Sequence, residues 1–218
     1  MLYIGAFLLG ASSIALLVSF KKRSLRKPAV IGLIAGKLLM VVAVASPTSE
    51  RRATSGATEM DRFIPRYQFH ETHNIYVDAP VAQVRAAMAA VTAREIRYYQ
   101  TLTRIRRCGN DDENILNPPL DEPLIDVATR TGFTKLSDTP SELVIGTYVV
   151  PQKAFAALNF KVVAQGKGSL VRTETRVFAN NRRTARRFAL YWRAIRPGSG
   201  IIRKSWLRAI KSRAESQV

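Results

Sequence analysis

The chain has 218 residues, a formal charge of +18 and a single cysteine. This length accommodates one soluble domain and an additional segment, so we expect no second folded domain. The single cysteine, Cys108, excludes an intramolecular disulfide and a metal site of four thiolates. Basic residues are concentrated in residues 1–60 and 182–218, a charge that suits anionic lipid, nucleic acid or a solvated surface.

Two apolar stretches near the N-terminus predict a membrane anchor. Residues 2–20 carry no charge and, as a helix, extend about 28 Å, close to the thickness of a bilayer core. Residues 29–45 are also apolar but are interrupted by Lys37. The basic run that begins at Lys21 favours an N-terminus outside the cytoplasm. We therefore predict a transmembrane anchor over residues 1–46 and a two-pass cell-membrane protein whose soluble domain is extracytoplasmic.

Two alternatives for residues 29–45 stay open. They form an interfacial helix that leaves the domain cytoplasmic, or they end a signal-peptide-like unit that is cleaved after Ala43-Val44-Ala45. Residues 47–61 are mostly small or polar, which predicts a linker. The soluble domain is then expected over residues 62–214.

The first half of this domain begins with a strand signal. Residues 67–77 alternate, with Phe69 and Ile75 on one face and His70 on the other, which predicts a half-buried strand. Residues 81–90 predict a short helix. Thr92 and Glu95 fit a capping box for a second helix that ends near residue 107. Residues 109–119 are polar and predict a loop that covers an opening.

The second half predicts an antiparallel sheet and one long helix. Strands are predicted at residues 133–137, 143–150, 159–164 and 170–179, with a hairpin turn between the last two. From residue 182 to about 214, aromatic and aliphatic residues follow helical spacing, with a break or kink at Pro197-Gly198. The opposite face is expected to be basic and exposed: Arg182, Arg183, Arg186, Arg187, Arg203, Lys204, Arg208 and Lys211.

Glu71 and His73 are the sharpest polar signal. Strand alternation places both on the same face as Phe69, so they are expected to point inward. A buried carboxylate beside an imidazole serves as an orienter and general base, binds a polar head group, or forms a satisfied internal pair with Arg130 or Arg97 as counter-charge. The chain has two histidines, one on each face of the strand, which argues against a zinc site.

Several segments resemble a known superfamily. The stretches 70–73 (HETH), 95–102 (EIRYYQTL), 126–133 (DVATRTGF) and 191–199 (YWRAIRPGS) are similar to an uncharacterised bacterial, membrane-anchored branch of the START-like, or polyketide cyclase (SRPBCC), superfamily. The resemblance implies an α+β helix-grip fold, in which a curved antiparallel sheet wraps around the long C-terminal helix and encloses an apolar cavity.

The resemblance also implies a ligand site and three hypotheses of function. The first is a membrane-tethered module that binds, and transfers, a lipid or another hydrophobic small molecule. The second is a cyclase or dehydratase with His73 as base, Glu71 as orienter and Arg130 stabilising negative charge. The third is an interaction domain with a closed core. The expected partners are the bilayer and a hydrophobic small molecule, with no cofactor, metal or nucleic acid. The sequence does not indicate whether the protein has protein partners. The expected ligand-binding residues are Phe69, His73, Phe133, Tyr148, Phe160, Phe188, Trp192 and Ile195.

Overall fold

The computed structural model describes residues 2–18, 26–45, 49–54, 56–107, 112–149 and 153–216. Cys108 and the start of the basic run, residues 21–23, lie outside the described residues. The chain divides into a first unit, Met1–Thr48, and a second unit, Ser49–Val218. Each unit is described by itself below.

The first unit consists, within its described part, of helices α1 (Leu2–Val18) and α2 (Arg26–Ala45). They pack closely where Gly32 meets Ser12, since a Cβ at position 32 would collide with the Ser12 hydroxyl. Over the described residues, neither helix combines the length and the apolar character that a membrane crossing requires. Helix α2 carries Arg26, Lys27 and, at its middle, Lys37. Residues 19 and 20 of the first predicted helix lie outside the described residues. The predicted transmembrane helices, 2–20 and 29–45, and the two-pass localisation are therefore wrong.

The second unit begins before the predicted domain start at residue 62. Short strands β1 (Arg51–Arg52) and β2 (Arg66–Tyr67) pair with each other, and helix α3 (Met60–Phe63) lies between them. Met60 and Asp61 are buried. In the described part of the predicted linker 47–61, residues 49–54 and 56–61 thus belong to the folded unit. Ala53 and Met60 pack in one cluster with residues of the sheet, and Asp61 pairs with Arg176.

The described sheet has five strands: β3 (Phe69–Val77), β4 (Thr134–Asp138), β5 (Glu142–Val149), β6 (Ala154–Gln165) and β7 (Gly168–Ala179). The predicted hairpin closes with Gln165 opposite Gly168, and Gly166 takes the positive φ of 60° that this turn requires. All five strands are antiparallel to their neighbours, and their order in the sheet is β3-β7-β6-β5-β4.

Four further helices complete this unit as described: α4 (Val81–Ala90), α5 (Tyr99–Arg107), α6 (Leu124–Arg130) and α7 (Arg182–Glu215). The predicted capping box is confirmed ahead of α5, where it starts a single 3₁₀ turn, Ala93–Glu95. Thr92 N–H donates to Glu95 Oε2 at 2.8 Å. At the start of α7, the Asn181 side chain accepts the amide of Thr184 at 2.8 Å.

Helix α7 packs along one face of the sheet, which we call the inner face. Its first half places Phe188 and Trp192 against Phe69 of β3. Its second half places Trp206 against Phe160 of β6, with ring centroids 5.0 Å apart. The predicted α+β fold, an antiparallel sheet packed against a long C-terminal helix, is confirmed. Of the predicted break or kink at Pro197-Gly198, the break is wrong, because α7 is one continuous helix of 34 residues. The kink stays a prediction.

Candidate ligand-binding pocket

A pocket of about 560 Å³ lies between α7 and the inner face of the sheet. Strand alternation places Thr147 and Val149 of β5, Ala156 and Leu158 of β6, and Thr175 and Val177 of β7 on this face. Helix α7 contributes Phe188, Tyr191, Trp192, Ile195, Ser199, Ile202, Arg203 and Trp206. The remaining wall comes from α5, from the segment 114–116, and from Thr131 and Phe133.

The expected ligand-binding residues fall into two groups. Phe133, Phe188, Trp192 and Ile195 line the pocket. Phe69, His73 and Phe160 do not line it. The buried Phe69 and Phe160 rings instead support Phe188 and Trp206 from the sheet side.

Tyr148 borders the pocket, but its ring lies on the outer face of the sheet. Its cross-strand partner is Phe155, and their ring centroids are 5.2 Å apart. Phe155 packs against the outer cluster that includes Met60, and the Tyr148 side chain is exposed. Alternation therefore presents Thr147 and Val149 to the pocket, on either side of Tyr148.

Glu71 and His73 point inward from β3 as their alternation predicts. His73 Nε2 and Glu71 Oε1 are 2.8 Å apart, and both side chains are largely buried. Glu71 Oε1 lies directly under Gly200 of α7, where an added Cβ would approach it to 2.8 Å. The pair is thus packed beneath the helix and is not part of the pocket wall.

The arginines proposed as counter-charges for this pair have other contacts. Arg130 donates from Nη1 to Glu122 at 2.8 Å and from Nη2 to Glu113, on the surface. Arg97 lies over the ring of Tyr98. On α7, Arg203 is close enough to Glu71 for the Glu71 charge to favour the charged form of its guanidinium.

Arg203 was assigned to the exposed basic face, and the structure corrects that assignment. Its Nη1 is buried, and its guanidinium lies over the ring of Trp206, 5.6 Å from the centroid. The signal was present in the sequence: position 203 follows Ser199 by four residues and precedes Trp206 by three, which places all three on one helical stripe.

Helix α5 supplies a polar wall that was not predicted from the sequence. Tyr99, Thr103 and Arg106 line the pocket at spacings of four and three. The Tyr99 hydroxyl donates to the Ile115 carbonyl, and burial raises the pKa of Tyr99, so it stays neutral. Arg106 Nε donates to the Tyr191 hydroxyl at 2.7 Å. The predicted covering loop contributes its described residues 114–116.

The described topology, a five-stranded antiparallel sheet with a long C-terminal helix packed on one face, is the helix-grip arrangement that was expected from the sequence. No family model matches the sequence, and no curated protein does. The comparisons give no support to a membrane-anchored branch.

Among solved structures, the chain is similar to CalU16 from Micromonospora echinospora, with 16% identity and a TM-score of 0.28 over 77% of this chain and 92% of that one. It is also similar to the di-domain ARO/CYC BexL from the BE-7585A biosynthetic pathway, with 13% identity and a TM-score of 0.38. That match covers 90% of this chain and 60% of BexL. A third is Ara h 8.0201, with 6% identity, a TM-score of 0.24, and coverage of 68% and 98%. At these values the fold assignment rests on the topology itself.

Proposed function

We propose that the second unit binds a lipid or another apolar small molecule in the pocket between α7 and the sheet. The observation that carries the proposal is the pocket itself, about 560 Å³ and walled largely by aromatic and aliphatic side chains. Pockets that hold small molecules typically measure about 300–1,000 Å³ and combine an apolar lining with a few polar groups.

The closed-core alternative is less favoured because of where the pocket lies. Its wall includes Phe188 and Trp192 from one buried cluster and Leu158 and Trp206 from the other. Protein interiors are normally packed with few voids larger than a water molecule. A space of this size between two well-packed clusters is therefore better explained as a binding site than as incomplete packing.

Catalysis of the cyclase or dehydratase type is not proposed. Glu71 and His73 contact each other beneath Gly200, and Arg130 is engaged on the surface. A general base must come within hydrogen-bond reach of the proton that it removes. Neither Glu71 nor His73 is among the pocket-lining residues.

The test uses the full chain and N-phenyl-1-naphthylamine, a neutral dye whose emission rises in apolar surroundings. We expect saturable binding by the wild type. Ala156→Phe places a ring on the pocket wall, and we expect it to weaken binding by about tenfold or more. The matched control, Ala86→Phe, adds the same ring at an exposed position of α4 and should bind as the wild type does.

Native mass spectrometry of the purified full chain, followed by solvent extraction, identifies any molecule that is retained. A wild type that binds no dye and retains no small molecule would overturn the proposal and favour the closed-core interaction domain. Equal dye affinity in Ala156→Phe and the wild type would also overturn it, because the dye would then occupy a different site.

A further inference from the structure

The face of α7 that turns away from the sheet presents one exposed stripe. Its eight positions alternate at spacings of four and three, and we call it the outer stripe: Arg183, Arg187, Leu190, Ala194, Pro197, Ile201, Lys204 and Arg208. All eight are exposed, whereas Phe188, Trp192 and Trp206 on the opposite side of α7 are buried. From its first to its last residue the stripe extends about 38 Å.

The two ends of the outer stripe carry positive charges without counter-charges. Arg183 and Arg187 lie at one end, and Lys204 and Arg208 lie at the other. Within the described part of the chain, none of these four side chains forms an ion pair or a hydrogen bond. The one acidic residue in the sequence of α7 is Glu215, at its C-terminal end. The stripe therefore presents unneutralised positive charge at both ends.

The middle of the outer stripe is apolar. Leu190 is 42% exposed and Ile201 is 46% exposed, and Ala194 and Pro197 lie between them on the same stripe. The distance from Leu190 to Ile201 along the helix is about 17 Å. Over this distance the stripe offers aliphatic surface to solvent.

Helix α5 borders this apolar middle. Leu102 lies beside Gly198 of α7, where an added Cβ would be 3.8 Å from Leu102 Cδ2. The Leu102 N–H donates to the Tyr98 carbonyl at 3.0 Å, so Tyr98 lies one helical turn before Leu102. Tyr98 and Ile105, three residues after Leu102, are both exposed, and so is the neighbouring Arg104. Exposed apolar side chains, again accompanied by a cation, thus flank the contact between α5 and α7.

The apolar middle favours lipid among the polyanions that these cations could bind. Proteins recognise nucleic acids through cations and polar donors on the phosphates and through aromatic rings stacked on the bases. Between Arg187 and Lys204 the outer stripe has neither a polar donor nor a ring. A second copy of this face is a poor partner, because two such faces would bring unneutralised cations together. An anionic lipid surface suits both parts of the stripe, since its phosphates attract the cations and its interfacial region accepts the apolar side chains.

We infer that the outer stripe of α7 docks peripherally on an anionic lipid surface. Leu190 and Ile201 enter the boundary between head groups and acyl chains, and the cations at the two ends of the stripe lie at the level of the phosphates. Such docking is an interfacial contact and requires no membrane-spanning helix. It also does not depend on what the pocket between α7 and the sheet holds.

The first experiment measures binding of the full chain to vesicles by flotation over a range of lipid concentrations. We expect the wild type to bind vesicles of phosphatidylcholine with about one third phosphatidylglycerol at least about tenfold more tightly than vesicles of phosphatidylcholine alone. The triple variant Arg187→Gln, Lys204→Gln, Arg208→Gln should weaken binding to the anionic vesicles by about tenfold or more. Its affinity for the neutral vesicles should stay within about twofold of the wild type.

A second triple variant is the matched control. The substitutions Arg51→Gln, Arg52→Gln and Lys167→Gln remove the same charge from exposed positions of β1 and of the turn between β6 and β7. This variant should bind anionic vesicles within about twofold of the wild type. Equal losses in the two triple variants would overturn the inference, because the binding would then follow net charge alone.

A local measurement separates the docking of α7 from any contribution of the first unit. Leu190→Trp places an indole in the middle of the outer stripe, and Val163→Trp places one at an exposed position of β6. With anionic vesicles that contain brominated phosphatidylcholine, we expect quenching of the emission that Leu190→Trp adds to the wild-type signal. The emission that Val163→Trp adds should be unchanged. Absence of quenching for Leu190→Trp would overturn the insertion of this face into lipid.

Two further outcomes decide between partners and between proposals. If the wild type binds a DNA or RNA duplex, loses that binding in the α7 triple variant and shows no preference for anionic vesicles, the face recognises nucleic acid and the inference is wrong. Binding of the neutral dye, measured without vesicles, should be the same in the α7 triple variant as in the wild type. Retained dye binding together with failed vesicle binding would overturn the docking surface and leave the proposed function in place.

Discussion

Two glycines of α7, two residues apart, have opposite surroundings. At Gly200 an added Cβ would lie 2.8 Å from Glu71 Oε1, an atom that is also bound to His73. At Gly198 the nearest atom would be Leu102 Cδ2 at 3.8 Å, which is an ordinary contact. The absence of a side chain at position 200 is therefore what lets the helix approach the Glu71–His73 pair.

The same substitution at these two positions should change stability in opposite directions. Gly198→Ala should raise the free energy of unfolding by about 0.5–1 kcal/mol, because alanine is the better helix former. Gly200→Ala should lower it by about 1 kcal/mol, since crowding of a packed interior costs about 1–3 kcal/mol and outweighs that gain. Urea denaturation of both variants measures the difference.

The Glu71→Ala background provides the control for this prediction. Removing the carboxylate removes the close contact, so Gly200→Ala should then stabilise the protein by about as much as Gly198→Ala does. Equal stabilisation by the two glycine substitutions in the wild-type background would show that Glu71 moves aside freely.

At the level of single residues, the sequence predicts which face a strand side chain occupies better than it predicts which groups form the site. The alternation of side chains along β3 correctly predicted that Glu71 and His73 point inward, because the pairing of β3 with β7 is uninterrupted. Tyr148 was expected among the ligand-binding residues because the resemblance implies it, although alternation along β5 places its ring on the outer face. Arg203 was assigned to the surface because of its charge, and only the packing of α7 reveals its partners.

Among the elements, α7 shows most clearly how packing overrides local preference. Proline in a helix interior removes one hydrogen bond and costs about 3 kcal/mol, and for that reason a break or kink was predicted. The helix nevertheless continues from Arg182 to Glu215. Each half buries its own aromatic residues on the sheet, Phe188 and Trp192 in the first and Trp206 in the second. These contacts hold both halves of the helix against the sheet.

The Pro197→Ala variant tests this account. Pro197 is exposed, so the substitution leaves no cavity and supplies an N–H that can complete the helical hydrogen bonds. We expect the free energy of unfolding to rise by about 1–3 kcal/mol. Thermal and urea denaturation measure it, and a fall in stability would show that α7 depends on the proline for its path across the sheet.

Strand β6 was predicted too short because, as in α7, its surroundings override the local preference of its residues. The prediction covered residues 159–164, whereas the strand runs from Ala154 to Gln165. Its first residues include three alanines, which have low strand propensity. They extend because β6 lies between β5 and β7 and forms ladder hydrogen bonds on both sides. A single sequence does not reveal which strand is central.

On the scale of the whole second unit, the segment that precedes β3 covers the outer face of the sheet. Arg176 of β7 donates to Asp61 at 2.7 Å and to Glu174 at 2.7 Å, and all three side chains are buried. Glu142 of β5 accepts the backbone N–H of Glu59 at 2.9 Å. These contacts fix residues 59–61 on the sheet. Composition alone predicted a linker here, because these partners lie more than 80 residues away in sequence.

This attachment should weaken at acidic pH through Asp61. Burial opposes ionisation of Asp61, but hydrogen bonds from Arg176 and Thr58 outweigh it, and its pKa lies below the usual 3.8. A carboxyl whose pKa is lower in the folded state contributes stability above its unfolded pKa and loses it as pH falls through the folded value. We therefore expect this contribution to be complete above about pH 5 and to decline below pH 4.

Asp61→Asn measures the size and the pH dependence of this contribution. Near neutral pH we expect the variant to be less stable by about 1–3 kcal/mol, because Arg176 loses one of its two carboxylate partners. The difference from the wild type should shrink as pH falls below 4 in urea denaturation. Asp126→Asn is the matched control, since Asp126 is exposed on α6 and its variant should follow the wild-type profile. A constant difference at every pH would mean that Asp61 stabilises this face by its shape and hydrogen bonds alone, independently of its charge.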